Sequence, residues 1–98
     1  MATYLVLWEA DNSRLPTDPK ERGSGYQEAV KYLRQEMKKG LIKDWGSFVG
    51  MTSGFTMYQG TEVEVMNFVQ HWIPFYTFKV YPLASLDQVE ESNKALLK

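Results

Sequence analysis

Residues 45–60, WGSFVGMTSGFTMYQG, constrain the fold of this 98-residue chain more than any other stretch. They read as two short strands joined at Ser53-Gly54, and the Thr61-x-x-Glu64 that follows is a capping box that starts a helix. With Ser53 and Gly54 at the centre of the turn, Thr52 faces Phe55, Gly50 faces Met57 and Val49 faces Tyr58. One face then carries Phe48, Gly50, Phe55 and Met57. The other carries Trp45, Ser47, Val49, Met51, Thr56 and Tyr58. A missing side chain admits a close helix, so the Gly50 face is expected to pack on the helices. A shifted turn reverses that assignment, because side chains alternate with a period of two.

The hairpin lies between two stretches of helical periodicity, and the chain divides around it into matching halves. Thr3 to Ala10, TYLVLWEA, is a strand with Tyr4, Val6 and Trp8 on one face and Leu5 and Leu7 on the other, apolar on both. Asp11 to Arg22 contains Asp11-Asn12-Ser13, Pro16 and Asp18-Pro19 and reads as one long loop, a lid or binding loop by its length. A helix is expected from Gly23–Tyr26, with Ser24 as a candidate cap. Tyr26, Ala29 or Val30, Leu33 and Met37 form its buried stripe, and Lys38-Lys39-Gly40 its end. After the hairpin, Val63, Met66, Val69 and Ile73, flanked by Val65, Phe68 and Trp72, give the second helix a wide apolar face that Pro74 terminates. Phe75 to Tyr81 is the last strand, ended by Pro82. Tyr76, Phe78 and Val80 share one face, and Phe75, Thr77, Lys79 and Tyr81 the other, which the Lys79 charge assigns to the side without helices. Ser85-x-x-Gln88 then caps a short terminal helix anchored by Leu86, Val89 and Leu96.

The order β-α-β-β-α-β plus a terminal helix closes, with right-handed crossovers, as a ferredoxin-like α+β sandwich. Residues 1–98 are expected to form a single domain. One four-stranded antiparallel sheet, in the order 4-1-3-2, carries two helices on one face. The other face is expected to hold Tyr4, Val6, Trp8, Val49, Met51, Tyr58, Phe75 and Tyr81. At about 25 cal/mol per Å² that is too much apolar surface to leave in water, and a second copy pressed face to face would cover it.

Composition narrows the function classes. Eleven basic and twelve acidic side chains leave a formal charge of −1, with no basic excess to displace counterions from a nucleic acid. Gly46 to Met51 has a faint likeness to the RNP1 pattern of RNA-recognition motifs, but it lacks the final aromatic and falls on the second strand instead of the third. The chain has no Cys, which removes disulfides, thiolate metal sites and a Cys nucleophile. No leader pattern and no apolar run of about 20 residues is present, so a soluble cytoplasmic protein without a membrane partner is expected.

In element order, length and aromatic open face, Thr3 to Tyr81 resembles the dimeric α/β-barrel superfamily, with its muconolactone isomerase-like, antibiotic-biosynthesis monooxygenase-like and YCII-like domains. TYLVLWE at the first strand and GLIKDWGSFVG before the turn carry the likeness. It implies a homodimer through the open sheet face, with a cleft between sheet and helices or between the two sheets. No catalytic motif of a characterised member is matched residue by residue, so no activity is carried over.

The residues themselves offer three candidates for chemistry. His71, the lone histidine, sits near a helix C-terminus, where the dipole favours its cation. It has no carboxylate at metal spacing, so no metal is expected. Glu9 ends the first strand at a cleft mouth, where burial would make a general base of it. Lys79 lies among Tyr and Phe and could hold an anion or polarise a carbonyl, but an ion pair between subunits or a snorkelling side chain is the favoured reading. Trp8, Trp45, Tyr58 and Tyr81 are expected to line, with Lys79, a site for a small hydrophobic or carbonyl-bearing molecule, and no cofactor is required. The competing expectation is a structural homodimer whose sheet interface is filled by side chains.

Overall fold

The computed structural model describes residues 2–98. Four strands and three helices follow one another as β1 (Ala2–Ala10), α1 (Pro19–Lys38), β2 (Ile42–Ser47), β3 (Ser53–Gly60), α2 (Glu62–Trp72), β4 (Tyr76–Leu83) and α3 (Leu86–Lys94). The strands form one sheet in the order β2-β3-β1-β4, with every neighbouring pair antiparallel. α1 and α2 lie on one face and enclose a core of Tyr4, Val6, Leu33, Ile42, Tyr58, Val65 and Phe68.

This core overturns the expected facing of two strands. Tyr4, Val6, Trp8, Thr56 and Tyr58 point to the helices, and Leu5, Leu7, Phe55 and Met57 point away. The cause is the hairpin. Its strands pair Ser47 with Gly54, Gly46 with Phe55 and Trp45 with Thr56, so the connection is Phe48–Thr52 and not Ser53-Gly54. The loop is closed by Phe48 N donating to Ser53 O at 2.9 Å and Met51 N to Phe48 O at 2.8 Å, with Met51 at φ 70°. Val49 and Met51 therefore stand on the loop, exposed, and on neither face of the sheet. Gly54 is a packing residue: a Cβ there would strike the Gly46 carbonyl oxygen and the Trp8 ring. A register shift between Ile42 and Asp44 lets Ile42 oppose Tyr58 and Trp45 oppose Thr56, which brings two side chains three residues apart to the same face.

The stretch from Asp11 to Arg22 is not one loop. Asn12–Arg14 form a 3-10 turn, and α1 starts at Pro19, ahead of Gly23 and the expected Ser24 cap. Asp18 is the cap, accepting from Glu21 N at 3.0 Å, and Pro19 sits in the first turn, where its missing N–H costs nothing. Gly40, at φ 80°, follows the end of the helix. On α2 the capping box is formed as expected, with both hydrogen bonds present. Its buried face, however, is Val65 and Phe68, with Val69 and Trp72 half-buried beside them, whereas Val63, Met66 and Ile73 are exposed. Met37 on α1 is likewise exposed, and Glu36 takes the buried position beside it. The Ile73–Pro74 peptide is cis. Phe75 precedes β4 and is no part of it, and the strand runs through Pro82 to Leu83.

Two features lie outside the compact body. The face of the sheet away from the helices shows successive cross-strand rows, Phe55–Leu7–Lys79, Met57–Leu5–Tyr81 and Gln59–Thr3–Leu83. The Thr77, Lys79 and Tyr81 side of β4 is on this face, as the Lys79 charge led us to expect. α3 carries its capping box, but every residue from Lys79 to Lys98 is exposed, so Leu86, Val89 and Leu96 anchor nothing on their own domain. The molecule measures 62 × 25 × 22 Å, with a radius of gyration of 16.3 Å. A compact chain of this length would have about 13 Å.

Candidate ligand cleft

The sequence places rings along one face of β1, β2 and β4 and along the inner side of α2, and the fold closes them into a chain. Trp45 stacks on Trp8 at 5.6 Å and 13°, and Tyr76 meets Trp8 edge-on at 5.8 Å. Trp72 meets Tyr76 edge-on at 5.6 Å and reaches Phe68 at 6.1 Å. Between these rings, Ala29 and Leu33 of α1, and Thr56 and Phe78 of the sheet, lies a cavity of about 50 Å³. Three residues of its wall bury a polar atom that has no partner: Trp8 Nε1, Trp72 Nε1 and Thr56 Oγ1. Buried donors are nearly always paired, and each unpaired one costs roughly 1–3 kcal/mol. All three belong to residues that border this one cavity.

Ala29, Trp72 and Tyr76 also line a wider groove of about 640 Å³, which continues the cavity outward between the 3-10 turn, α1 and the end of α2. Arg14, Arg22, Lys31 and His71 give it polar walls. Arg22 Nη1 donates to the Pro16 and Thr17 carbonyls at 3.2 and 3.3 Å and so ties the segment before α1 to the helix. His71 lies flat on Tyr32, with ring centres 3.7 Å apart. Tyr32 in turn donates to the buried Glu36 carboxylate at 3.2 Å, whose other oxygen is 3.4 Å from Lys39 Nζ. Burial, then the nearby Glu36 charge, pushes the Tyr32 hydroxyl up to about 12. Tyr58 is raised to about 12 by the same causes, with Glu64 adding to them. Burial, with a smaller effect from Tyr26, also raises Tyr76, which keeps its hydroxyl a donor at the cavity mouth.

Of the residues expected to gather in one site, Trp8 and Trp45 line the cavity. Tyr58 is buried in the core beside Phe68, with ring centres 5.0 Å apart, and does not line it. Lys79 and Tyr81 are on the opposite face of the sheet. Glu9 is exposed at the strand end, opposite Ser53 and Thr77. His71 stands in the outer groove. The other seven lining residues, Ala29, Leu33, Thr56, Phe68, Trp72, Tyr76 and Phe78, were not assigned to the site from sequence. Among them, Trp72 and Tyr76 flank the Pro74 break, so the end of α2 and the start of β4 come together at the cavity. The inner wall holds no carboxylate, Lys or His, and its only titratable group is Tyr76. Among the described residues no cluster of His, Asp and Glu could hold a metal ion, and no helix is long and apolar enough to cross a membrane.

No family model, no curated protein and no solved structure matches the chain.

Proposed function

We propose that the protein binds a small, flat, carbonyl-bearing organic molecule in the cleft between its sheet and its helices. One observation carries this reading: three unpaired buried polar atoms, two of them indole N–H groups, on residues that line a single aromatic cavity. A carbonyl or quinone oxygen accepts from indole and hydroxyl donors while its ring satisfies Trp8, Trp45 and Trp72, and the outer groove takes the bulk of the molecule. The chain's resemblance to ferredoxin-like dimeric α/β barrels fits this reading, and so does a homodimer formed through the Leu5, Leu7, Phe55 and Met57 face. The competing reading, a purely structural dimer, leaves the three polar atoms without a role.

Tryptophan fluorescence with 1,4-naphthoquinone and with naphthalene tests the proposal. With no Cys, thiol addition to the quinone does not interfere. The quinone should bind at least about tenfold more tightly than the hydrocarbon, and Trp72→Phe should remove most of that difference. Equal binding of the two, or a preference unchanged in Trp72→Phe, overturns the reading.

A further inference from the structure

We infer that two copies of the chain exchange their terminal helices, α3 of each lying on the open sheet face of the other. The inference rests on the dimer reading above and adds to it where the arm goes. The β1–β4 ladder ends at Thr3–Leu83, and only Ala84 and Ser85 separate it from α3. The helix is specified locally: Ser85 Oγ accepts from Gln88 N at 3.1 Å, and Gln88 Oε1 accepts from Ser85 N at 2.8 Å. Yet α3 has nine residues, and a lone helix shorter than roughly 12–15 residues is marginal in water. It needs a surface to lie on. Leu86 of α3, and Leu96 and Leu97 of the 3-10 turn Ala95–Leu97 that follows it, are 83–85% exposed, with Val89 between them.

The occupant is a second copy because one chain carries both halves of the contact and joins neither to the other. The helix side of the sheet is already filled by α1 and α2. The sheet's other face carries no helix, and there the rows of Leu5 and Leu7 lie beside Lys79 and Tyr81. Lys79 has no acidic partner among the described residues, and Asp87 and Glu90 beside the apolar stripe of α3 have no basic one. Two-fold symmetry makes each such contact twice, so a short helix doubles its contribution.

Three full-length proteins test the inference: the wild type, a Leu7→Asp variant that breaks the open face, and a Leu86→Asp/Val89→Asp variant that breaks only the arm. Each also carries Ser92→Cys with a nitroxide label, and each is measured by light scattering and by the mobility of the label. The expected result is a wild-type dimer of about 23 kDa, twice 11.4 kDa, with an immobile label. Leu7→Asp should then be a monomer with a mobile label, and the arm variant should dimerise about tenfold more weakly. A dimer with a mobile label and an unaffected arm variant overturns the exchange and leaves the dimer reading standing. A wild-type monomer at roughly 100 µM overturns both. A label that stays immobile in the Leu7→Asp monomer shows the arm on its own chain and also overturns the exchange.

Discussion

Gly54 and Thr56, two residues apart on β3, make different demands on the same cavity. At Gly54 the Trp8 ring and the Gly46 carbonyl occupy the space of a Cβ, and neither can withdraw without opening the sheet. Gly54→Ala should therefore cost about 3 kcal/mol in urea unfolding. At Gly46 the nearest atoms to an added Cβ belong to the Phe55 side chain, on the open side, so Gly46→Ala should cost much less. Equal losses would show that the Trp8 contact does not matter. Thr56→Val keeps the shape and removes an unpaired buried hydroxyl. It should stabilise the empty protein by about 1 kcal/mol while weakening quinone binding, and the opposite signs separate a ligand role from a packing role. Trp8 and Trp45 were expected to share one lining, and both line the cavity. Lys79 and Tyr81 were misplaced into the same site because their partners were assigned to the wrong face.

At the scale of elements, one misread turn accounts for most of that error. Ser-Gly is a frequent hairpin dipeptide, and nothing local distinguishes Gly54 as a packing glycine from a turn glycine. The connection actually used needs a left-handed residue and has Met51 there. A non-glycine in that conformation costs roughly 1 kcal/mol. Met51→Gly should recover part of this as a higher urea midpoint, and a lower midpoint would place the constraint elsewhere in the loop. The α1 start was legible in principle, since Asp18-Pro19-x-Glu21 is a cap, a proline in the first turn and an acidic third residue. Asp18-Pro19 was read instead as a break that prolongs the loop, which moved the start to Gly23. Nothing lies within 4 Å of a Cβ built on Gly23. Gly23→Ala should thus stabilise the helix by about 0.5–1 kcal/mol, measured in the same unfolding experiment. The two capping boxes, at Thr61 and Ser85, were read correctly because their signal is complete within four residues.

At the scale of the whole molecule, the ionisation of the folded protein should differ from that of its unfolded chain most clearly in alkali. Tyr32 and Tyr58 are both pushed up to about 12, first by burial and then by the Glu36 carboxylate held between α1 and the sheet. Their unfolded value is near 10, so between about pH 10 and 12 the unfolded chain has lost protons that the folded chain still holds. The stability they contribute is fully present below pH 10 and falls as pH rises through that window. Urea midpoints should therefore be level from pH 8 to about 9.5 as far as these two groups are concerned, then decline toward pH 12. Tyr58→Phe removes one of them and should make the decline shallower, whatever it costs at neutral pH. Tyrosinate absorbance of the folded protein should show the matching late titration. If the midpoints hold level to pH 11, or if Tyr58→Phe declines as steeply as the wild type, the Glu36-centred core is not what sets the alkaline limit. That core is also what fixes α1 against the sheet above the cavity, so its loss in alkali should release a bound quinone over the same pH range.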